Sequence, residues 1–165
     1  MPVGVETMVR MGELTVSDTP GDVLVSIGLG SCIGLALLDA ARPIAGLAHV
    51  MLPQSAPGEA AEGKFADLAV PALIDRLVER GARRTQLRAV LVGGAKMFSF
   101  TSNTLDVGAR NDAATRDALR LAGISVAQTA TGGDKGRTIR VEVEEGVVVC
   151  KEAGGSPVEL YRGLP

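Results

Sequence analysis

Cys32 and His49 are the residues of this sequence best suited to nucleophilic chemistry. His49 is the only histidine, Cys32 is one of two cysteines, and both fall in the apolar stretch VLVSIGLGSCIGLALLDAARPIAGLAHVMLP from Val23 to Pro53. A free thiol ionises near ~8.5, and an adjacent imidazolium lowers that value enough to supply thiolate at neutral pH. Gly28 and Gly30 permit a tight turn before Cys32, which leaves the backbone N–H groups of Gly30 and Ser31 to hold a developing oxyanion. A third group should accept a hydrogen bond from the second imidazole nitrogen, and the Ser26 hydroxyl, on the strand leading into the turn, has that capacity. Each residue also has a plainer explanation. A cysteine in an apolar run is commonly inert core, and a histidine on a strand is commonly structural. The residues alone leave both explanations open. Cys150 has no second histidine to serve it and reads as structural.

For Cys32 to meet His49, the chain between them has to double back. Ile33 to Leu38 is apolar almost throughout, as in a strand covered on both faces, although a buried helix has a similar composition. Asp39-Ala40-Ala41-Arg42-Pro43 makes a compact turn and Ile44 to Leu52 resumes the apolar pattern, which favours a hairpin. Partners in an antiparallel pair have a constant sum of residue numbers. The turn flanks Leu38 and Ile44 and the pair Cys32 and His49 have sums within one of each other. The spacing therefore places thiol and imidazole opposite or one step diagonal, with Cβ atoms about 4.5–5.5 Å apart if directly paired. A register slip of one would turn them to different faces.

Around this hairpin the pattern is mixed α/β. Glu13 to Ser17 and Val23 to Ile27 read as strands separated by a turn cluster. Lys64 to Arg80 carries an apolar helical stripe ended by Gly81, and Pro71 implies either a start near Val70 or a bend. Gln86 to Val92 is a strand, residues 99–105 are a polar loop, and a second helix runs from Asn111 as N-cap to Ala122 before Gly123. Ile124 to Gln128 is a strand and Thr129 to Arg137 a glycine-rich loop. Thr138 to Val143 and Val147 to Lys151 form a hairpin about Glu144-Glu145-Gly146. The last residues, from about Gly154, read as a loosely held tail. A length of 165 residues with 46% hydrophobic content suits one domain over 1–165 with a real core.

Composition excludes several functions. A net charge of -2 and 2% aromatic content offer neither a basic face nor stacking platforms for nucleic acid. Two cysteines make no disulfide scaffold, and one histidine without a paired cysteine motif makes no zinc site, so neither metal nor cofactor is expected. The N-terminal segment, with Glu6 and Glu13, lacks the long apolar core of a signal peptide. Asp39, Arg42 and Pro43 interrupt the most apolar stretch, so the expected setting is a reducing cytoplasm without membrane insertion. Gly93-Gly94 and Gly132-Gly133 lack the spacing of phosphate loops.

Six blocks, in order, resemble the CheD family of chemoreceptor glutamine deamidases. They are G-L-G-S-C at Gly28 to Cys32, A-H-V-M-L-P at Ala48 to Pro53, G-K-F-A-D at Gly63 to Asp67, G-G-A-K-M-F at Gly93 to Phe98, G-A-R-N at Gly108 to Asn111, and T-G-G-D-K-G-R at Thr131 to Arg137. The resemblance implies an α+β fold of mixed and antiparallel sheets packed face to face, with two main helices on the outside, similar to bacterial toxin deamidases. It implies a cysteine hydrolase that converts specific glutamine side chains of methyl-accepting chemotaxis receptors to glutamate, with Cys32 as nucleophile and His49 as acid and base. The family's third catalytic position, usually threonine, falls on Ser26, which keeps the hydroxyl but loses the methyl that restricts the rotamer. The CheC phosphatase is a further partner the resemblance implies. Two other readings share these features: a non-catalytic module that binds receptors or CheC, and a cysteine peptidase or transglutaminase-like enzyme with the same acyl-thiol chemistry. A glutamine carried on another protein implies a shallow site rather than a deep pocket.

Overall fold

The computed structural model describes residues 4–97 and 106–164. In chain order the elements are β1 (Glu6–Met8), β2 (Leu14–Ser17), β3 (Val23–Leu29), β4 (Ile33–Asp39), β5 (Ala45–Val50), α1 (Ala66–Glu79), β6 (Leu87–Gly93), α2 (Val107–Ala122), β7 (Ser125–Thr131), β8 (Arg137–Glu142), β9 (Val147–Glu152) and β10 (Val158–Arg162). The strands form two five-stranded mixed sheets, ordered β1-β3-β8-β9-β10 and β2-β5-β4-β6-β7. Among the strands of the described residues, only β1 with β3 and β6 with β7 run parallel. The fold is α+β, as expected. Both helices cover the same outer face of the second sheet, giving three layers: helices, second sheet, first sheet. No helix among the described residues is long and apolar enough to cross a membrane.

The unbroken apolar run of β4 is explained by its place in the middle layer. Leu35 and Leu37 join the core beneath the helices, while Ala36 and Leu38 join the core between the sheets. Every residue of β4 and β5 is buried. Alternate side chains of a strand point to opposite faces, so both faces have to be apolar here. The hairpin is therefore present, with one change of register. Leu38 pairs with Ala45 rather than Ile44, and Gly34 lies opposite His49. The extra turn residue is held by Asp39, whose carboxylate accepts from the N–H groups of Ala41 and Arg83. Cys32, two residues before Gly34, thus takes the diagonal position on the same face as His49.

Several boundaries depart from the sequence expectations. Helix α1 (Ala66–Glu79) lies within the expected Lys64 to Arg80 and carries Pro71 in its interior, so the later start near Val70 is the alternative that fails. The N–H that Pro71 lacks would have met the carbonyl of Asp67, an exposed residue, so the loss falls on the solvent side. Helix α2 begins at Val107, with the Asp106 carboxylate accepting from Ala109 N–H at 2.9 Å. Asn111 is consequently not an N-cap but a buried residue of the second turn. Strand β7 extends through Thr131, which shortens the glycine-rich loop. The C-terminal segment is not a loose tail: β10 pairs with β9, and the N–H groups of Gly163 and Leu164 donate to the carbonyls of Gly146 and Glu145. Strand β1 has no counterpart in the sequence reading. The expected loop over 99–105 lies outside the described residues.

Candidate active site

Three routes bring the chemistry-bearing residues to one end of the gap between the sheets. His49 comes from β5, on the same face as Ala45 and Leu47 of the inter-sheet core. Cys32 lies in the link from β3 to β4, half-buried and packed against that same core. Ser26 comes from β3 of the other sheet, on the face shared with Leu24. A strap from Val9 to Glu13 closes this end, passing from β1 in one sheet to β2 in the other. Val9 N–H donates to Val25 O, Gly12 N–H to His49 O, and His49 N–H to Glu13 O.

The strap supplies the atom that orients the imidazole. His49 Nδ1 lies 3.1 Å from the carbonyl oxygen of Val9. A carbonyl only accepts, so Nδ1 carries the proton and Nε2 presents its lone pair. Nε2 is buried and has no hydrogen-bond partner among the described residues, Cys32 Sγ included. Catalytic hydrogen bonds are often open in unliganded sites and close when substrate binds. The Ser26 hydroxyl donates to the same Val9 oxygen at 2.7 Å. Ser26 therefore reaches the imidazole through a shared carbonyl rather than by direct acceptance. On this geometry Ser26→Ala leaves the His49 bond in place, and activity falls by no more than ~10-fold, with about 1 kcal/mol of stability lost. Ser26→Thr keeps full activity. Paired kinetics and thermal melts check both outcomes.

The turn before Cys32 is held by its carbonyls. Gly30 O accepts from Ala95 N–H at 2.8 Å, Cys32 O from Gly94 N–H at 2.9 Å, and Ser31 O from Asn111 Nδ2 at 2.9 Å. The Ser31 and Cys32 N–H groups have no acceptor among the described residues, which suits them to an oxyanion. The Gly30 N–H, the other donor expected beside Ser31, likewise has no acceptor among the described residues, and Cys32 N–H is an additional one. A bulge between Ser26 and Leu29, with Gly28 at φ +68°, turns Ile27 outward to 56% exposure. Ile27, Met8, Val9, Met11, Arg10 and His49 enclose an open cavity of about 250 Å³. Exposed Met97 packs over Gly30, so apolar side chains fringe the site.

Burial pushes the Cys32 thiol up from its ordinary value. It also pushes His49 down, against the opposing pull of the Val9 hydrogen bond and of Glu13. Both shifts favour the neutral thiol and the neutral imidazole in the resting site, whereas the residue types alone suggest a thiolate–imidazolium pair. A neutral imidazole is the form that accepts a proton, so activity should persist on acidification past the ordinary histidine value of ~6.5. Alkylation of Cys32 by iodoacetamide, which needs thiolate, should rise only at or above the ~8.5 of a free thiol. A rate profile for alkylation of the Cys32 peptide measures this directly, and a midpoint near neutrality would refute it. His49, lowered in the fold, contributes stability that is complete above ~6.5 and is lost as pH falls through its folded value.

Sequence reasoning missed the Val9 carbonyl, for which no side-chain signal exists, and the contacts of Asn111, whose amide suggested a helix cap. The sequence also matches a family model described as CheD chemotactic sensory transduction, over residues 51–152. A protein of Methanococcus vannielii named probable chemoreceptor glutamine deamidase CheD is 41% identical over 145 residues, spanning 87% of this chain and 93% of that protein. A protein of the same name from Symbiobacterium thermophilum is 43% identical over 157 residues, spanning 92% of this chain and 95% of its own. The chain belongs to the CheD family. Overlaps of this extent take in Ser26, Cys32 and His49, which precede the stretch matched by the family model. The solved structure of Bacillus licheniformis hypothetical protein YfiH overlaps 73% of this chain and 49% of its own at TM-score 0.47 and 16% identity, a likeness too slight to bear on function.

Proposed function

We propose that this protein is a cytoplasmic cysteine-dependent deamidase that converts glutamine side chains of methyl-accepting chemotaxis receptors to glutamate. The observation that carries the reading is the 3.1 Å contact of His49 Nδ1 with Val9 O: the carbonyl assigns the proton to Nδ1, which leaves the Nε2 lone pair free on the sheet face shared with Cys32. When a glutamine carboxamide enters, the Cys32 proton moves to Nε2 and Sγ bonds to the carboxamide carbon. The carbonyl oxygen takes the negative charge and meets the N–H groups of Ser31 and Cys32. As the intermediate collapses, the C–N bond breaks, and the proton on Nε2 goes to nitrogen, which leaves as ammonia. The remaining thioester is attacked by water, whose proton passes to the same Nε2. The C–S bond then breaks, the thiol regains its proton, and the side chain is a carboxylate.

The apolar fringe of Met11, Ile27 and Met97 and the open cavity beside His49 suit a glutamine presented on another protein's surface. CheC, as a second partner on this fringe, would compete with receptor. The test is incubation with a chemoreceptor cytoplasmic fragment, followed by mass spectrometry for a gain of ~1 Da per site as amide nitrogen is replaced by oxygen. Absence of any gain with the wild-type protein sinks the proposal. Cys32→Ala, developed in the Discussion, separates catalysis from receptor or CheC binding alone.

A further inference from the structure

We infer that Asn111 is a positioning residue: one side-chain amide ties the loop that carries Cys32 to the strand that carries His49. The inference rests on the proposed roles of those two residues. Asn111 Nδ2 donates at 2.9 Å to Ser31 O and at 2.9 Å to Met51 O. Ser31 precedes the thiol, and Met51 follows His49 by two residues at the exit of β5. Both contacts are carbonyls, so only the nitrogen of the amide can face them, which fixes its orientation. Among the three carbonyls that anchor the turn, Ser31 O is the one held by a side chain, and that side chain also holds the histidine strand.

The approach of α2 is built for this contact. Gly108, three residues before Asn111 on the buried face, fits where a Cβ would lie 2.4 Å from Ala95 O and 2.6 Å from Gly94 O. Without that gap the helix would stand too far out for a side chain as short as asparagine to reach two backbone carbonyls. Asn111 is fully buried, and its Oδ1 has no hydrogen-bond partner among the described residues. An apolar side chain would avoid stranding that acceptor, so packing alone does not account for an amide here. Aspartate would turn acceptors toward acceptors, and glutamine would overreach by a methylene.

The test compares Asn111→Asp and Asn111→Ser with Leu119→Ala, which destabilises the same buried face of α2 without touching the tie. Two measurements are made on folded protein: deamidation of a receptor fragment, and iodoacetamide labelling of the Cys32 peptide across neutral to alkaline pH. The expected result for Asn111→Asp is a kcat lowered about 100-fold with KM within about twofold, because displacement of reacting groups by ~1 Å costs that much. Cys32 labelling should become faster at each pH, with a midpoint closer to that of a free thiol, as the loop loosens. Asn111→Ser, with one short donor and no charge, should fall between, and it decides the matter if Asn111→Asp does not fold. Leu119→Ala should lower the melting temperature and leave both measurements unchanged. Wild-type kinetics and labelling in the Asn111 variants, or equal changes in Leu119→Ala, overturn the inference. Altered labelling in the Asn111 variants of a protein that deamidates no receptor would instead support the tie and remove the substrate.

Discussion

Cys32→Ala should deamidate receptor glutamines at least ~10⁴-fold more slowly than wild type, the scale on which removal of a covalent nucleophile is felt. The loss should be chemical rather than structural, because the turn is anchored through the carbonyls of Gly30, Ser31 and Cys32, none of which depends on the thiol. The variant should therefore melt close to wild type and still bind a receptor fragment. His49→Gln should lose ~10³-fold, within the range for a general acid–base group. Glutamine can donate to Val9 O but offers no basic nitrogen for the thiol proton. Measured together by intact mass, the two substitutions define the site. Receptor deamidation by Cys32→Ala at the wild-type rate would remove the thiol from the mechanism, and full signalling by that variant in cells would favour a binding module.

Gly93→Ala should be the most damaging single-methyl change near the site. Gly93 has φ +117°, and a Cβ there would lie 2.2 Å from the carbonyl oxygen of Cys32. The backbone conformation alone costs about 1–3 kcal/mol for any other residue. The clash adds to it, because the obstacle is main chain that cannot rotate away. A total of about 3–5 kcal/mol is expected, among the largest effects of point substitutions, which lowers Tm by roughly 10 °C in a chain of this size. Activity should fall with it, since relieving the clash pushes Cys32 O away from Gly94 N–H. Gly28→Ala is the informative contrast. Gly28 also has positive φ, +68°, but a Cβ there meets nothing within 4 Å, so about 1 kcal/mol should be lost. Equal melting temperatures for the two variants would contradict the account.

What could be read from the residues followed from where burial is continuous. The β4–β5 hairpin was legible because a strand with cores on both faces is apolar at every position, and little else produces that run between turns. Its register was less legible: the compact turn suggested Leu38 opposite Ile44, whereas the Asp39 carboxylate stabilises a turn one residue longer. With Leu38 opposite Ile44, Cys32 would stand opposite Val50 and face away from His49, so the expected contact depends on the longer turn, which sets the two on one face. Strands β1 and β10 are short sheet edges of mixed exposure, with too few alternations to register against the background. Asn111 misled because its short amide is as good a helix cap as it is a buried donor, and Asp106, the actual cap, stands five residues earlier. The protonation of the pair is not legible from residue types for a different reason. Residue types suggest an ion pair, but its balance depends on how deeply the strap buries it, and burial is a property of the assembled layers.

The oxygen of Val9 accepts hydrogen bonds from Ser26, on one sheet, and from His49, on the other. Its two bonds are therefore a clasp between layers, and the direction of the imidazole is set only while the clasp is shut. Should the two sheets part at this end, the proton on Nδ1 loses its anchor and either nitrogen can carry it. The basic nitrogen of the site is in this sense a reporter of the closed sandwich, belonging to no single strand.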